Sequence, residues 1–245
     1  MVSPVQPSTK APIFYPEDDG LPMSDNTKQF RWITVIQYNL EWLFADNPEV
    51  FVAGNLLWYP VENYPTIRQA PDVMVAFGVE KGERGSYKQW EENNVPPQVV
   101  FEILSPGNTL TEMNKKLLFY ARHRVEEYYI YDPQKNDLSG WIRQSQENEE
   151  FSLSVIEEIE NWVSPRLQIR FVPAEEELQI YLPNGEPFVS YSEVRTQLEQ
   201  AQVRAEQAQV RAEQAQVRAE QAEQKLQEME ELLNRYRQQF GDLSE

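Results

Sequence analysis

The feature that most constrains the fold is the run QVVFEIL at residues 98–104, which is almost continuously apolar. A strand with one face in water alternates apolar and polar residues, whereas a continuous apolar run of this length is typical of a strand buried on both faces. Sheets with such strands are covered by helices. The run therefore predicts an α/β protein with a central sheet, and it places one charged residue, Glu102, inside that sheet.

Regular patterns flank this run on both sides. Apolar side chains at helical spacing predict an amphipathic helix over residues 26–45. Thr109 and Glu112 form a capping box for a second helix that ends near Arg124. Residues 78–97 are polar and predict a long loop. Short apolar runs between turn residues predict strands at residues 50–53, 56–59, 72–77, 98–104, 127–131, 138–143 and 167–171. This order predicts an α/β (α+β) fold with a mixed β-sheet flanked by helices.

Three parts of the chain differ in composition. Residues 1–23 contain five prolines and predict an extended N-terminal arm. Residues 24–190 contain all the predicted strands and form the predicted domain. Residues 191–245 are rich in Ala, Gln and Glu, and the heptapeptide AEQAQVR occurs there twice in succession.

The heptads of the third part predict a long C-terminal helix that forms a coiled coil. Two core positions recur every seven residues: Leu198, Ala205, Ala212, Ala219, Leu226, Leu233 and Phe240, and, three residues later, Ala201, Ala208, Ala215, Ala222, Met229 and Tyr236. Alanine buries little apolar surface, so the larger residues from Leu226 onward are the better anchor. The partner is a second copy or another helix, and the alternative is a long solvated helix.

The composition excludes several kinds of chemistry. The chain has no cysteine and one histidine, His123, so disulfides, Cys/His zinc sites and mechanisms that need two histidines are excluded. Any catalysis therefore depends on carboxylates and lysine. His123 lies near a predicted helix end and is predicted to face solvent. The absence of cysteine, of an export signal and of a membrane-spanning run predicts a cytoplasmic protein.

The net charge of −18 bears on the partner. Residues 191–245 carry 11 acidic and 7 basic side chains, so the remaining −14 belongs to residues 1–190. Nucleic-acid binders normally carry a basic surface that neutralises phosphates. The charge disfavours indiscriminate DNA binding, although a local basic strip or bound cations could still permit contact with nucleic acid.

Two carboxylates are the candidates for catalysis. Glu102 interrupts an apolar strand, where a charge is costly unless something compensates it. Asp72 begins the apolar run PDVMVAF. If the two strands are neighbours, both acids can bind one Mg²⁺ or Mn²⁺ ion, with the carbonyl of Ile103 as a further ligand. Lys116 is predicted to point from the second helix toward the sheet, and Lys115 to point outward. The alternative is a structural pair between Glu102 and a buried Lys or Arg.

The motifs APDVMVAFG, PPQVVFEILSPGN and KKLLFYARHRVEEYYIYDP, in this order, resemble the Uma-two family (Uma2), a bacterial group of restriction-endonuclease-like proteins. The resemblance covers about residues 15–190 and implies a PD-(D/E)XK core. It assigns the metal-binding roles to Asp72 and Glu102 and the lysine role to Lys116. Two positions depart from the pattern: Leu104 stands where the motif has its lysine, and Glu112 stands where many relatives have aspartate.

Two functional hypotheses follow. The first is a Mg²⁺-dependent endodeoxyribonuclease that hydrolyses phosphodiester bonds of nucleic acid, with DNA as the expected substrate. The second is an inactive nuclease-like scaffold that acts in interaction or oligomerisation through its coiled-coil tail. The intact Asp/Glu/Lys set favours the first hypothesis, and the acidic domain favours the second.

Overall fold

The computed structural model describes residues 13–18, 20, 24–144 and 153–240. The chain divides into two units, Met1–Ser190 and Tyr191–Glu245. Most of the arm predicted over residues 1–23 lies outside the described residues.

Within the described residues, the first unit contains two α-helices, one short 3₁₀ helix at Gln89–Glu91 and ten strands. The bounds in chain order are α1 Thr27–Leu43, β1 Val50–Gly54, β2 Trp58–Tyr59, β3 Val73–Phe77, β4 Tyr87–Lys88, β5 Val99–Ile103, α2 Leu110–Arg122, β6 Glu127–Asp132, β7 Asp137–Ile142, β8 Ser154–Val155, β9 Arg170–Val172 and β10 Gln179–Tyr181. Side chains of Asn26 and Thr109 cap the N-termini of α1 and α2 and accept hydrogen bonds from their free N–H groups.

Six strands form the main sheet in the order β1-β3-β5-β6-β7-β8. The pair β5–β6 is parallel, and the other neighbours are antiparallel. Two small sheets, β2–β4 and β9–β10, complete the strands of the described residues. The predicted mixed sheet flanked by helices is therefore confirmed, and β5, the continuously apolar run, lies inside the sheet.

The core has two parts, one on each face of this sheet. Successive side chains of a strand point to opposite faces, so β5 contributes to both. Val99 and Phe101 pack with residues of α1 such as Ile33 and Ile36. On the other face the core contains Met74, Val100, Trp58, Tyr120 and Tyr128. This division explains why the run at residues 98–104 lacks polar alternation.

Two local predictions are wrong. The loop predicted over residues 78–97 contains β4, which pairs in parallel with β2 and buries Tyr87. A two-residue strand leaves no periodic signal among polar neighbours. His123, predicted to face solvent, is half-buried, and its ring centroid lies 4.6 Å from that of Phe119 and 6.0 Å from that of Trp58. This burial, assisted by Arg122, lowers the pKa of His123 to about 4.

The described residues of the second unit form one helix, α3, Tyr191–Phe240. The predicted long C-terminal helix is thus present, and every side chain from residue 191 to residue 239 is exposed. The exposed residues include the large members of both core positions, such as Leu198, Leu226, Met229 and Leu233. Neither α3 nor any other helix in the described ranges is long and apolar enough to cross a membrane.

Candidate active site

Asp72 and Glu102 meet because β3 pairs with β5. The antiparallel register places Met74 opposite Val100 and Val73 opposite Phe101. One further step of the same register brings Asp72 opposite Glu102. Both side chains belong to the face that α2 covers, and both are buried, at 8% and 2% exposure. Two acids thirty residues apart in the chain are therefore neighbours in the interior.

Both oxygens of Glu102 are bound by side chains of α2. The Nζ atom of Lys116 donates to Oε2 over 2.8 Å, and the hydroxyl of Tyr120 donates to Oε1. Lys116 and Tyr120 are four residues apart and hence share one face of the helix. The ammonium group is itself largely buried, so Glu102 lies in a shielded ion pair with a fixed orientation.

Asp72 has fewer partners than Glu102. Its Oδ2 atom accepts a hydrogen bond from the backbone N–H of Ile103 over 2.6 Å. Burial, and next the charge of Glu102, raise the pKa of Asp72 to about 8, although the Ile103 N–H and Lys116 act in the opposite direction. Without a cation, the centre therefore resists holding two negative charges.

The surroundings of Lys116 favour its charged form, whereas those of Asp72 favour its neutral form. Burial disfavours its charged form, but the carboxylate of Glu102 outweighs this effect and raises the pKa of Lys116 above 10.5. The side chain therefore stays an ammonium at neutral pH. Its neighbour Lys115 is exposed, as predicted from the helical stripe.

Both backbone polar groups of Ile103 form hydrogen bonds with side chains. Its N–H binds Asp72, and its carbonyl oxygen accepts a hydrogen bond from Nε2 of Gln29 over 2.8 Å. Gln29 is buried in the first turn of α1, and its Oε1 atom accepts from the backbone N–H of Asp25 over 2.8 Å. A carbonyl oxygen has two lone pairs, so one remains for the ligand role predicted for Ile103.

The two positions that depart from the family pattern have structural roles. Leu104 donates its backbone N–H to the carbonyl of Tyr131 over 2.8 Å and continues the β5–β6 ladder. Lys116 reaches Glu102 from the following helix and supplies the amine that position 104 lacks. The Oε1 atom of Glu112 accepts from Nδ2 of Asn108 over 3.2 Å, which ties α2 to the preceding turn.

The donor set fits a hard divalent cation. Mg²⁺ prefers oxygen ligands and usually binds one or two carboxylates together with water. Asp72 and Glu102 match that preference, and no hydrogen bond to Oδ1 of Asp72 forms within the described residues. Among all the described residues, no group of three His, Asp or Glu side chains is arranged so that it could hold a metal ion. Two carboxylates and a carbonyl are therefore what this site offers, and water must supply the remaining ligands.

Three side chains of this region escaped the sequence analysis: Gln29, Tyr120 and Tyr128. Tyr120 follows Lys116 by one helical turn, and that spacing could have identified it. The local sequence suggests only a capping role for Gln29, and its contact with Ile103 spans 74 residues, which no local pattern reveals. Tyr128 is buried on the same face of the sheet, with its ring centroid 4.9 Å from that of Tyr120.

Comparison with known proteins adds family and structural relatives. The family model Uma2, described as "Putative restriction endonuclease", matches residues 22–166, which is more than half of the chain. Five chains of solved structures match. One is described as a putative nuclease belonging to DUF820 from Anabaena variabilis; it is 16% identical, with a TM-score of 0.41 over 57% of this chain and 72% of that one. No curated protein matches.

Proposed function

The chain belongs to the Uma2 family of putative restriction endonucleases, and from this premise we propose that it is a metal-dependent endonuclease that hydrolyses phosphodiester bonds of DNA. The observation that carries the proposal is the convergence of Asp72, Glu102 and Lys116 in one buried centre. A buried pair of acids with a perturbed pKa and a neighbouring ammonium is typical of catalytic sites.

Each residue of the centre has a distinct role. Asp72 and Glu102 bind Mg²⁺ or Mn²⁺, and the carbonyl of Ile103 adds a neutral oxygen ligand. When bound, the cation supplies Lewis-acid chemistry: it activates water and offsets negative charge on the phosphate. Lys116 holds the carboxylate of Glu102 in place and stabilises the oxyanion that develops on the phosphate. Tyr120 orients Glu102 through its second oxygen.

Local basic residues offset part of the acidic domain charge. Arg122 and Arg124 are exposed at the end of α2 and directly after it, and α2 is the helix that carries Lys116. They place positive charge at the end of this helix, and such charge attracts the phosphates of nucleic acid. With a domain charge of −14, binding should nevertheless be weak at physiological salt and should depend on divalent cations.

The test is a cleavage assay with purified protein. Supercoiled plasmid and single-stranded DNA are incubated with Mg²⁺ or Mn²⁺, and the parent is compared with Asp72→Ala, Glu102→Ala and Lys116→Ala. Lys115→Ala is the matched control, because this neighbouring lysine is exposed. We expect the parent and the control to cut and the other three variants to lose activity. Cleavage of neither DNA by the parent, or equal cleavage by Asp72→Ala, would contradict the proposal.

A second candidate function is that of an interaction protein with an inactive nuclease-like domain. The acidic domain charge favours it. Calorimetric titration separates the two candidates. A nuclease should bind Mn²⁺ in a manner that Asp72→Ala and Glu102→Ala abolish. A scaffold should show no binding that depends on these two acids.

Self-association through α3 is compatible with either function, and we propose a parallel, in-register homodimer. The heptad positions that flank the apolar seam face each other across a parallel pair. In that arrangement Arg218 lies opposite Glu223 of the second copy, and Lys225 lies opposite Glu230. An antiparallel pair would instead bring Arg204, Arg211 and Arg218 near the arginines of the other helix. The ion pairs also adjoin the large apolar residues that begin at Leu226.

Light scattering tests this association. Deleting residues 195–245 should lower the measured mass from that of a dimer to that of a monomer. In the full chain, the double variant Glu223→Lys/Glu230→Lys should weaken the dimer, because it places like charges in contact, and adding Arg218→Glu/Lys225→Glu should restore it. If the number of chains per particle is the same before and after the deletion, α3 does not assemble the protein.

A further inference from the structure

Within the part of the chain that the structure describes, the hydroxyl of Tyr128 is an unpaired polar group in the protein interior. Tyr128 lies on β6 and is completely buried, and its hydroxyl has no hydrogen-bond partner among the described residues. Folded proteins pair the great majority of buried polar side-chain atoms, because an unpaired one costs stability. Phenylalanine would fill the same space without this cost. The hydroxyl therefore requires an explanation beyond packing.

Its position connects it to the candidate metal centre. The parallel register places Tyr128 beside Val100, two residues before Glu102 on the same face. The ring of Tyr128 packs against that of Tyr120, whose hydroxyl binds Glu102. Burial first, and then the charges of Glu102 and Asp72, raise the pKa of Tyr128 far above 10. The hydroxyl thus stays protonated, as a hydrogen-bond donor close to both acids.

The protein offers this donor no acceptor among the residues that the structure describes. Both oxygens of Glu102 already accept hydrogen bonds from Lys116 and Tyr120. Asp72 accepts its one hydrogen bond from the backbone of Ile103. A buried donor that is influenced by the charges of two candidate ligand carboxylates, and that has no acceptor among the described residues, is suited to an oxygen that arrives with a ligand.

The adjacent tyrosine shows the contrast. Tyr129 follows in the same strand and points to the opposite face of the sheet. Its hydroxyl donates to Oε2 of Glu127 over 2.9 Å and accepts from Nε1 of Trp162 over 3.0 Å. Two successive buried tyrosines therefore differ in one respect: the hydroxyl away from the centre is fully paired, and the one beside it is not.

We propose that Tyr128 is a positioning residue of the metal centre, whose hydroxyl donates to a water of the bound cation's hydration shell. The proposal rests on the function proposed above. Outer hydrogen bonds of this kind orient the ligands of a metal, and their loss commonly weakens metal affinity about 10- to 100-fold. The role also gives this buried hydroxyl an acceptor that the described residues do not supply.

The experiment compares Tyr128→Phe with Tyr129→Phe in the full chain. Each variant removes one hydroxyl from the same strand and leaves the ring in place. Thermal melting in a chelator measures the stability of the ion-free protein, and calorimetry with Mn²⁺ measures affinity. We expect Tyr128→Phe to melt at the parent's temperature or above and to bind Mn²⁺ about tenfold more weakly. Tyr129→Phe should melt at a lower temperature and bind Mn²⁺ as the parent does.

The remaining outcomes each overturn the inference. If Tyr128→Phe binds Mn²⁺ as tightly as the parent, the hydroxyl has no role at the centre. If Tyr128→Phe melts lower in the chelator with unchanged Mn²⁺ affinity, the hydroxyl binds a structural water. If the parent itself binds no Mn²⁺, the proposed function fails together with this inference. The first two results leave the proposed function intact.

Discussion

Two buried glutamates on neighbouring strands show how differently the interior treats the same side chain. Glu102 on β5 and Glu127 on β6 are 2% and 1% exposed. Glu127 accepts hydrogen bonds from the hydroxyls of Tyr129 and Ser164 and from the backbone N–H of Arg166, the last over 2.7 Å. All three donors are neutral groups, and together they tie the segment at residues 164–166 to the sheet.

Glu102 has a different environment on the other face of the sheet. It binds an ammonium group and a phenol, and a second buried acid, Asp72, lies opposite. Facing like charges destabilise a strand pair, so this arrangement has a cost that Glu127 does not incur. The comparison teaches that burial alone does not mark a functional acid. A second acid buried opposite the first is the feature that makes Glu102 a candidate.

The largest expected effect is a loss of stability as pH rises in the absence of metal. The pKa of Asp72 is about 8 in the folded protein, against an ordinary value of 3.8. The folded state therefore holds a proton that the unfolded state has lost. The stability from this group is fully present below pH 3.8 and is lost as pH rises to 8, at about 1.4 kcal/mol per pH unit.

Urea unfolding in a chelator measures this effect. Between pH 5 and pH 8 the parent should lose about 4 kcal/mol more than Asp72→Asn, which cannot ionise. Asp137→Asn, at an exposed acid, is the matched control and should follow the parent. Saturating Mn²⁺ should remove most of the difference, because the cation stabilises the ionised form. If the free energy of unfolding depends on pH in the same way in the parent and in Asp72→Asn, the proposed difference between the surroundings of Glu102 and Glu127 is wrong.

The next effect is on catalysis. Glu102→Gln removes a charge from the cation site and leaves the ammonium of Lys116 without its counter-charge. The initial rate of plasmid cleavage at saturating Mg²⁺ should fall about 100- to 1000-fold, the range seen when a group that stabilises transition-state charge is removed. Glu127→Gln should cut at the parent's rate under conditions where it is folded. Equal losses in both variants would show that neither acid is specifically catalytic.

A smaller effect concerns the stability that Glu127 provides. Glu127→Gln replaces one acceptor oxygen by an NH₂ group that cannot accept, so either the N–H of Arg166 or the hydroxyls of Ser164 and Tyr129 lose their acceptor. Leaving a buried donor unpaired should lower the free energy of unfolding by about 2 kcal/mol. Urea denaturation at pH 7 measures the change, and Glu126→Gln, at the adjacent surface ion pair with Arg166, should change stability by less than about 1 kcal/mol. An unaltered midpoint for Glu127→Gln would contradict its structural role.

The smallest expected effect is that of Tyr120→Phe. This variant removes one of the two hydrogen bonds that orient Glu102 but leaves Lys116 in place. Mn²⁺ affinity should fall about five- to tenfold, which corresponds to about 1 kcal/mol for a single hydrogen bond. Tyr87→Phe is the control, because its hydroxyl binds the carbonyl of Val95 and lies outside the centre. A calorimetric affinity unchanged in Tyr120→Phe would assign the positioning of Glu102 to Lys116 alone.

The sequence alone determined the elements and the class of the fold. The apolar spacing of α1, the capping box of α2, the continuous apolar run of β5 and the heptads of the C-terminal helix are all local signals. Such signals depend on residues within a few positions of one another, so they can be recognised without knowledge of the tertiary contacts. Glu102 could be singled out for the same reason, since a lone charge within an apolar run is a local anomaly.

Only the tertiary structure decided which residues work together. The meeting of Asp72 with Glu102 depends on the register of β3 against β5, and a shift of one residue would separate the two side chains to opposite faces. The contact of Gln29 with Ile103 and the unpaired hydroxyl of Tyr128 depend on which elements pack together. Such pairings are set by the burial of whole faces rather than by local sequence, and this is why the chain could indicate its acids but not the shape of the centre they form.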